Sequence, residues 1–139
     1  MKISARNQLK GTITGIAEGA VNGVVTIDLG GNAIKADITM ESIKELELAA
    51  GKEAIAIIKA TNVMFATSKI SGISARNQLE GKIVTITEGA VNGHVAIELA
   101  DGNRVSGSIT NAAIEDLGLA VGQNAVAIVK ATDVIVGVE

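Results

Sequence analysis

The 139-residue chain has no cysteine, proline, tryptophan or tyrosine, and only one phenylalanine and one histidine. Without cysteine there are no thiolate metal sites, iron–sulfur clusters, disulfides or cysteine nucleophile. A lone His94 cannot build a multi-histidine metal site, so no bare metal cation is expected as a ligand. The near absence of aromatics removes the stacking platforms that hold single-stranded nucleic acid. A net charge of −3 removes the basic surface that a polyanion binder needs, so no nucleic-acid partner is expected. No stretch reaches the length of an apolar membrane span. The longest uncharged run, Leu117 to Val129, is interrupted by Gly122, Gln123 and Asn124. The opening Met1-Lys2-Ile3-Ser4 has neither an apolar leader core nor a small-residue cleavage site. A cytoplasmic location and no membrane partner are the resulting expectations.

What the chain does have is aliphatic bulk. Hydrophobic residues make up 47% of it, nearly all of them Val, Ile, Leu and Ala. β-Branched enrichment favours strands, and 16 glycines supply the turns that proline cannot. The sequence also repeats. Ser4-Ala5-Arg6-Asn7-Gln8-Leu9 returns as Ser74 to Leu79, Glu18-Gly19-Ala20-Val21-Asn22-Gly23 as Glu88 to Gly93, and Lys59-Ala60-Thr61 as Lys130 to Thr132. The offset is 70 residues early in the unit and 71 later, the extra residue falling where Gly30-Gly31-Asn32 becomes Ala100-Asp101-Gly102-Asn103. A turn is where an insertion does least harm. The units run 1–70 and 71–139.

Within a unit, residues 8–17 read as a strand with a glycine-rich kink or bulge, and 18–23 as a loop. Val25, Ile27 and Leu29 alternate with polar residues as a half-buried strand. A turn at 30–32 leads to a third strand over 33–38. Thr39 is placed to cap a short helix over 40–46. The apolar run 54–58 reads as a central strand, and a last strand follows near 62–66. Five strands and one helix predict a mostly β fold, two tandem five-stranded OB-like barrels each with one short helix. Barrels this small are marginal alone, so pairing of the units and further self-association are expected.

Few polar residues recur in both units: Ser4/Ser74, Arg6/Arg76, Asn7/Asn77, Gln8/Gln78, Asn22/Asn92, Thr39/Thr110, Lys59/Lys130 and Thr61/Thr132, with Glu18/Glu88 the recurring acid. No carboxylate pair or histidine–nucleophile set recurs, so no enzyme and no catalytic cofactor are expected. Donors without a base suit an oxyanion. Ser4 to Gln8 precede the first strand, Thr39 opens a helix, and Lys59 closes the most apolar strand. Each also has a plainer role, as a turn, a cap or a solvated strand-end charge. His94 replaces Val24 and reads as an exposed substitution without a role.

The segments Ser-Ala-Arg-Asn-Gln-Leu-x-Gly, Gly-Ala-Val-Asn-Gly and Ile-Lys-Ala-Thr resemble the Mop domain of molybdate-binding proteins, and two such units resemble a di-domain molbindin. The resemblance implies OB-like barrels, a homotrimer, anion sites between subunits, and molybdate, with tungstate, as ligand in intracellular storage or buffering. It implies anion contacts from Ser4, Arg6, Thr39, Ser42 and Lys59 in unit one and from Ser74, Arg76, Thr110 and Lys130 in unit two. Ala113 stands where Ser42 would recur, one hydroxyl fewer. A further axial anion site is implied, for which the loops Ala20, Val21, Asn22, Gly23 and Ala90, Val91, Asn92, Gly93 are the candidates. The contrasting reading is a non-catalytic structural or protein-interaction module in which the polar repeats serve only the fold.

Overall fold

In the computed structural model, which describes residues 1–139, alternation of buried and exposed side chains draws the long first strand. Along β1 (Asn7–Glu18) Leu9 and Ile13 are buried while Lys10 and Thr12 face solvent. β2 (Asn22–Asp28) buries Gly23, Val25 and Ile27, and β3 (Ala33–Thr39) buries Ile34 and Ala36. α1 (Met40–Glu45) follows, capped by Thr39, whose Oγ1 accepts from the Ser42 amide at 3.1 Å. β4 (Glu53–Ile58) is buried at every position after Glu53, so both of its faces are covered. A single 3-10 turn over Ala60–Asn62 leads into the three-residue β5 (Met64–Ala66).

The second half repeats this as β6 (Asn77–Glu88), β7 (Asn92–Leu99), β8 (Arg104–Thr110), α2 (Asn111–Asp116), β9 (Asn124–Val129), a 3-10 turn over Ala131–Asp133, and β10 (Ile135–Gly137). β1 pairs with β4 through its first half and with β2 through its second, with a bulge between Ile13 and Gly15. β6 carries the same bulge between Ile83 and Thr85. The bulge therefore does not depend on glycine. Glycine is required instead at Gly11 and Gly81, where an added Cβ would lie 2.3 and 2.5 Å from the carbonyls of Asp28 and Glu98.

The fifth strands are exchanged. The first sheet runs β10-β4-β1-β2-β3 and the second β5-β9-β6-β7-β8. Ile135, Val136 and Gly137 pair with Ile57, Ala56 and Ile55, while Met64, Phe65 and Ala66 pair with Ile128, Ala127 and Val126. Both sheets have the five strands expected, mostly β and OB-like, but each barrel draws residues from both sides of position 70. One continuous core of 27 buried residues runs through both halves, which is where the aliphatic surplus goes.

Several local expectations shift. Glu18 belongs to β1, and Asn22 and Gly23 to β2, so the loop shrinks to 19–21 because cross-strand pairing of Glu18 with Gly23 extends the ladder. The final strand of the first half begins at Met64, not Asn62, which lies in the 3-10 turn. Leu46 is the C-terminal cap of α1.

Candidate anion site

The Ser-Ala-Arg-Asn-Gln motif divides by what its side chains bond. Asn7 is buried and works as a strand-to-strand clamp: its Nδ2 donates to the carbonyls of Ser106 at 2.8 Å and Ile58 at 3.2 Å, and its Oδ1 accepts from the Ser106 amide at 2.8 Å. Asn77 does the same to Lys35, donating to its carbonyl and accepting from its amide at 2.8 Å each. Each side chain imitates a peptide group and ties its strand to the edge of the other barrel. Gln8 donates to the carbonyls of Ile3 and Ala5 at 3.3 and 3.2 Å, holding the segment before β1. Gln78 exchanges two bonds with the backbone of Ile70. These amides serve the fold and leave Ser4 and Arg6 exposed.

Asn7 pairs with Ile58 in the ladder, so Arg6 and Lys59 are the next residues outward on neighbouring strands. Ser4, Arg6 and Lys59 line one surface depression of about 360 Å³, together with Thr61 and, from the other half, His94 and Ser108. His94 and Ser108 face each other across β7 and β8. Ile3 and Ile135 form its apolar wall. The depression has two strong cations and no carboxylate in its lining. In the second half Asn77 pairs with Val129, so Arg76 and Lys130 take the equivalent outward places, and Ser74 precedes them on the same segment.

Thr39 and Ser42 do not line this depression. They sit at the start of α1, where the Met40 amide donates to the Val21 carbonyl at 2.8 Å, so the helix start abuts the loop 19–21. The Thr39 hydroxyl donates to Ser42 Oγ at 2.9 Å, leaving the Ser42 hydroxyl proton free for another acceptor. Thr110 accepts from the Ala113 amide at 3.1 Å, and Ala113 offers no hydroxyl. Thr110 lies two residues beyond Ser108 on β8. Ala20, Val21 and Asn22, with Ala90, Val91 and Asn92, are exposed at loop tips, while Gly23 and Gly93 are buried against α1 and α2. Asn22 donates to Asp37 Oδ1 at 3.0 Å. No group of three or more His, Cys, Asp or Glu side chains could hold a metal ion, and no helix is long and apolar enough to cross a membrane.

The pattern that defines the TOBE domain matches residues 3–65 and again 73–136. The chain belongs to that family. Its two TOBE units stand in the tandem arrangement of the di-domain molbindins. The chain is 43% identical over 139 residues to the molybdenum transport protein ModE of Azotobacter vinelandii, covering 99% of this chain and 52% of that protein. It is 40% identical over 137 residues to the molybdenum-pterin-binding protein MopA of Rhodobacter capsulatus, covering 97% and 52%. The chain thus spans about half the length of these curated relatives. Among solved structures, the cytoplasmic molybdate-binding protein ModG in a form with molybdate bound superposes with a TM-score of 0.96 at 46% identity, covering 100% of both chains.

His94 and Ser108 are the residues of this depression that sequence reasoning missed. Both lie in the second TOBE unit, far from Arg6 in sequence, and neither recurs in the first. Only the packing of β8 beside β1, imposed by Asn7, brings them there.

Proposed function

We propose that this tandem TOBE protein binds molybdate, without catalysis, as a cytoplasmic store or buffer of the oxyanion. The observation that carries the reading is the depression where Ser4, Arg6 and Lys59 meet without an opposing carboxylate. Two cations and the hydroxyls of Ser4, Thr61 and Ser108 suit a compact dianion. The likeness to a protein crystallised with molybdate, over the full length of both chains, supports the choice of anion. A lining whose strong charges are cationic, with no carboxylate to accept a proton, disfavours anions that still carry one. Molybdate is fully ionised at neutral pH and phosphate is not. Tungstate has the same charge and nearly the same shape, so this lining admits it too.

The contacts proposed are Ser4, Arg6, Lys59, Thr39 and Ser42, with Ser74, Arg76, Lys130 and Thr110 in the second unit. Within one chain the Ser–Arg–Lys set and the Thr39–Ser42 pair do not meet in the depression, so a second copy would bring them together. The homotrimer implied by the molbindin resemblance provides such sites, and the exposed tips of Val21 and Val91, 73% and 71% accessible, suit an axial contact. Calorimetry with sodium molybdate tests the reading. The wild type is expected to bind at micromolar anion or below, and Arg6→Ala with Arg76→Ala to weaken binding at least about tenfold, since charge-assisted hydrogen bonds contribute about 1.5–3 kcal/mol each. Native mass spectrometry should show the assembly retained. Absence of molybdate uptake by the wild type at micromolar anion would end the proposal; disassembly of the double variant would favour a purely structural role.

A further inference from the structure

The repeat supplies the Ser–Arg–Lys donor set twice, but the two sets have chemically different surroundings. Ser4, Arg6 and Lys59 face the cross-strand pair His94–Ser108 of β7 and β8. At the equivalent register of the first half, β2 and β3 present the pair Val24–Asp37, and it is beside this pair that the repeat sets Ser74, Arg76 and Lys130. An imidazole has become an isopropyl group, and a hydroxyl has become a carboxylate. The depression around the first set therefore holds two cations and one titratable base with no acid in its lining. The second set has a carboxylate at the corresponding place, with Asp37 Oδ1 held by Asn22.

We infer that anion binding at this depression is coupled to protonation of His94, and that the two donor sets of the chain are for this reason unequal in affinity and in pH dependence. The inference rests on the molybdate reading above. Histidine is the side chain that changes charge between pH 5 and 8. The groups facing His94 are Arg6 from the segment before β1, Lys59 and Thr61 from the end of β4, Ser108 across on β8 and Thr87 across on β6. Glu88, next to Thr87, pairs with Gly93, and Glu98, four residues along β7, is engaged by Arg104 at 3.4 Å. A dianion seated between Arg6 and Lys59, beside His94, favours the imidazolium, which adds a further N–H donor. By linkage, a proton taken up on binding means that binding strengthens as pH falls. Beside the second donor set, Val24 cannot titrate, and the Asp37 carboxylate repels the same dianion.

The test is calorimetry of the full chain with sodium molybdate at pH 6 and pH 8, each in two buffers of different ionisation enthalpy so that bound protons are counted. For the wild type the tighter class of sites is expected to bind at least about fivefold more strongly at pH 6 than at pH 8, the effect of one exposed unit charge on another at contact distance being a lower bound for a dianion, with net proton uptake. His94→Val, which installs the residue of the other half, and His94→Gln, which keeps a polar group of similar size, should both reduce this ratio to less than about twofold and abolish the uptake. Asp37→Ser should tighten the weaker class and leave the proton count unchanged. Molybdate binding with the same pH ratio and proton count in wild type and both His94 variants overturns the inference while leaving the molybdate reading intact. No molybdate binding by the wild type at either pH overturns that reading itself.

Discussion

Phe65 and Gly107 form a size-matched pair. A Cβ added at Gly107 would lie 2.4 Å from Cε2 of the Phe65 ring, which the exchanged β5 lays over β8. At the equivalent positions the other half has Val136 and Ala36, both buried, so a smaller side chain on the exchanged strand goes with a larger one beneath it. Gly107→Ala should therefore destabilise the protein by about 1–3 kcal/mol, the usual cost of overpacking a filled core. Adding Phe65→Val, which reproduces the pair of the other half, should restore most of that loss. Urea unfolding of the single and double variants measures both, and simple additivity would show that the two sites do not interact. At this scale the sequence was only partly legible. Repetition singled out Asn7, Gln8, Ser4 and Arg6 alike, because clamping a barrel and presenting a ligand donor both demand fixed polar residues. Only their hydrogen bonds separate the two amides, spent on backbone carbonyls and amides, from the exposed hydroxyl and guanidinium.

Among elements, the two β-turns at 29–32 and 99–103 meet each other. Asn32 Nδ2 donates to Asp101 Oδ2 at 3.1 Å, Asp101 Oδ1 accepts from the Asn103 amide at 2.9 Å, and Asn103 Nδ2 reaches the Leu29 carbonyl at 3.4 Å. The one-residue insertion, placed in a turn where it does least harm, thus also sits in a contact between the halves. Burial pushes the Asp101 carboxyl upward, but hydrogen bonds from Asn103 and Asn32 outweigh it and hold the group below 3.8, the ordinary aspartate value. A carboxylate depressed in this way adds stability above its unfolded pKa and loses that contribution as pH falls through the folded one. Asp101→Ala should accordingly cost about 1 kcal/mol at pH 7, and the gap from wild type should narrow below pH 4. Thermal unfolding across pH 2.5–7 shows this; a gap constant over the range would mean that the charge is not involved. The elements themselves were readable, since alternation marks β2, an unbroken apolar run marks β4, and Thr39 caps α1 as its position suggested. The bulge was readable as an event but not in its cause, because β6 bends at Thr85 as β1 does at Gly15. Strand exchange was not readable. The same alternating residues pair equally well with β4 or β9, and nothing in β5 or β10 specifies which.

For the whole molecule, the exchange makes the two halves interdependent. Residues 1–70 alone would leave β4 without β10 and β5 without β9, both bordering the buried core. That fragment is expected to self-associate, with β5 of one copy completing the sheet of another, and to show no folded monomer in size-exclusion chromatography at micromolar concentration. A stable monomeric fragment would mean that β5 can turn back onto β4 of its own half. Composition did foretell pairing of the halves, because so much aliphatic surface cannot be hidden by one small barrel. It could not foretell a shared core.

The pairing of Ile135 with Ile57 spans 78 positions of sequence, and it closes the barrel that is begun first. During synthesis the amino-terminal sheet must wait, one edge open, until residue 137 has left the ribosome. Contacts so distant along the chain are slow to form, and an open edge beside apolar Ile55 and Ile57 invites pairing with a neighbouring nascent chain. The geometry that locks the finished protein together thus leaves it most vulnerable to misassembly in the interval before its last strand arrives.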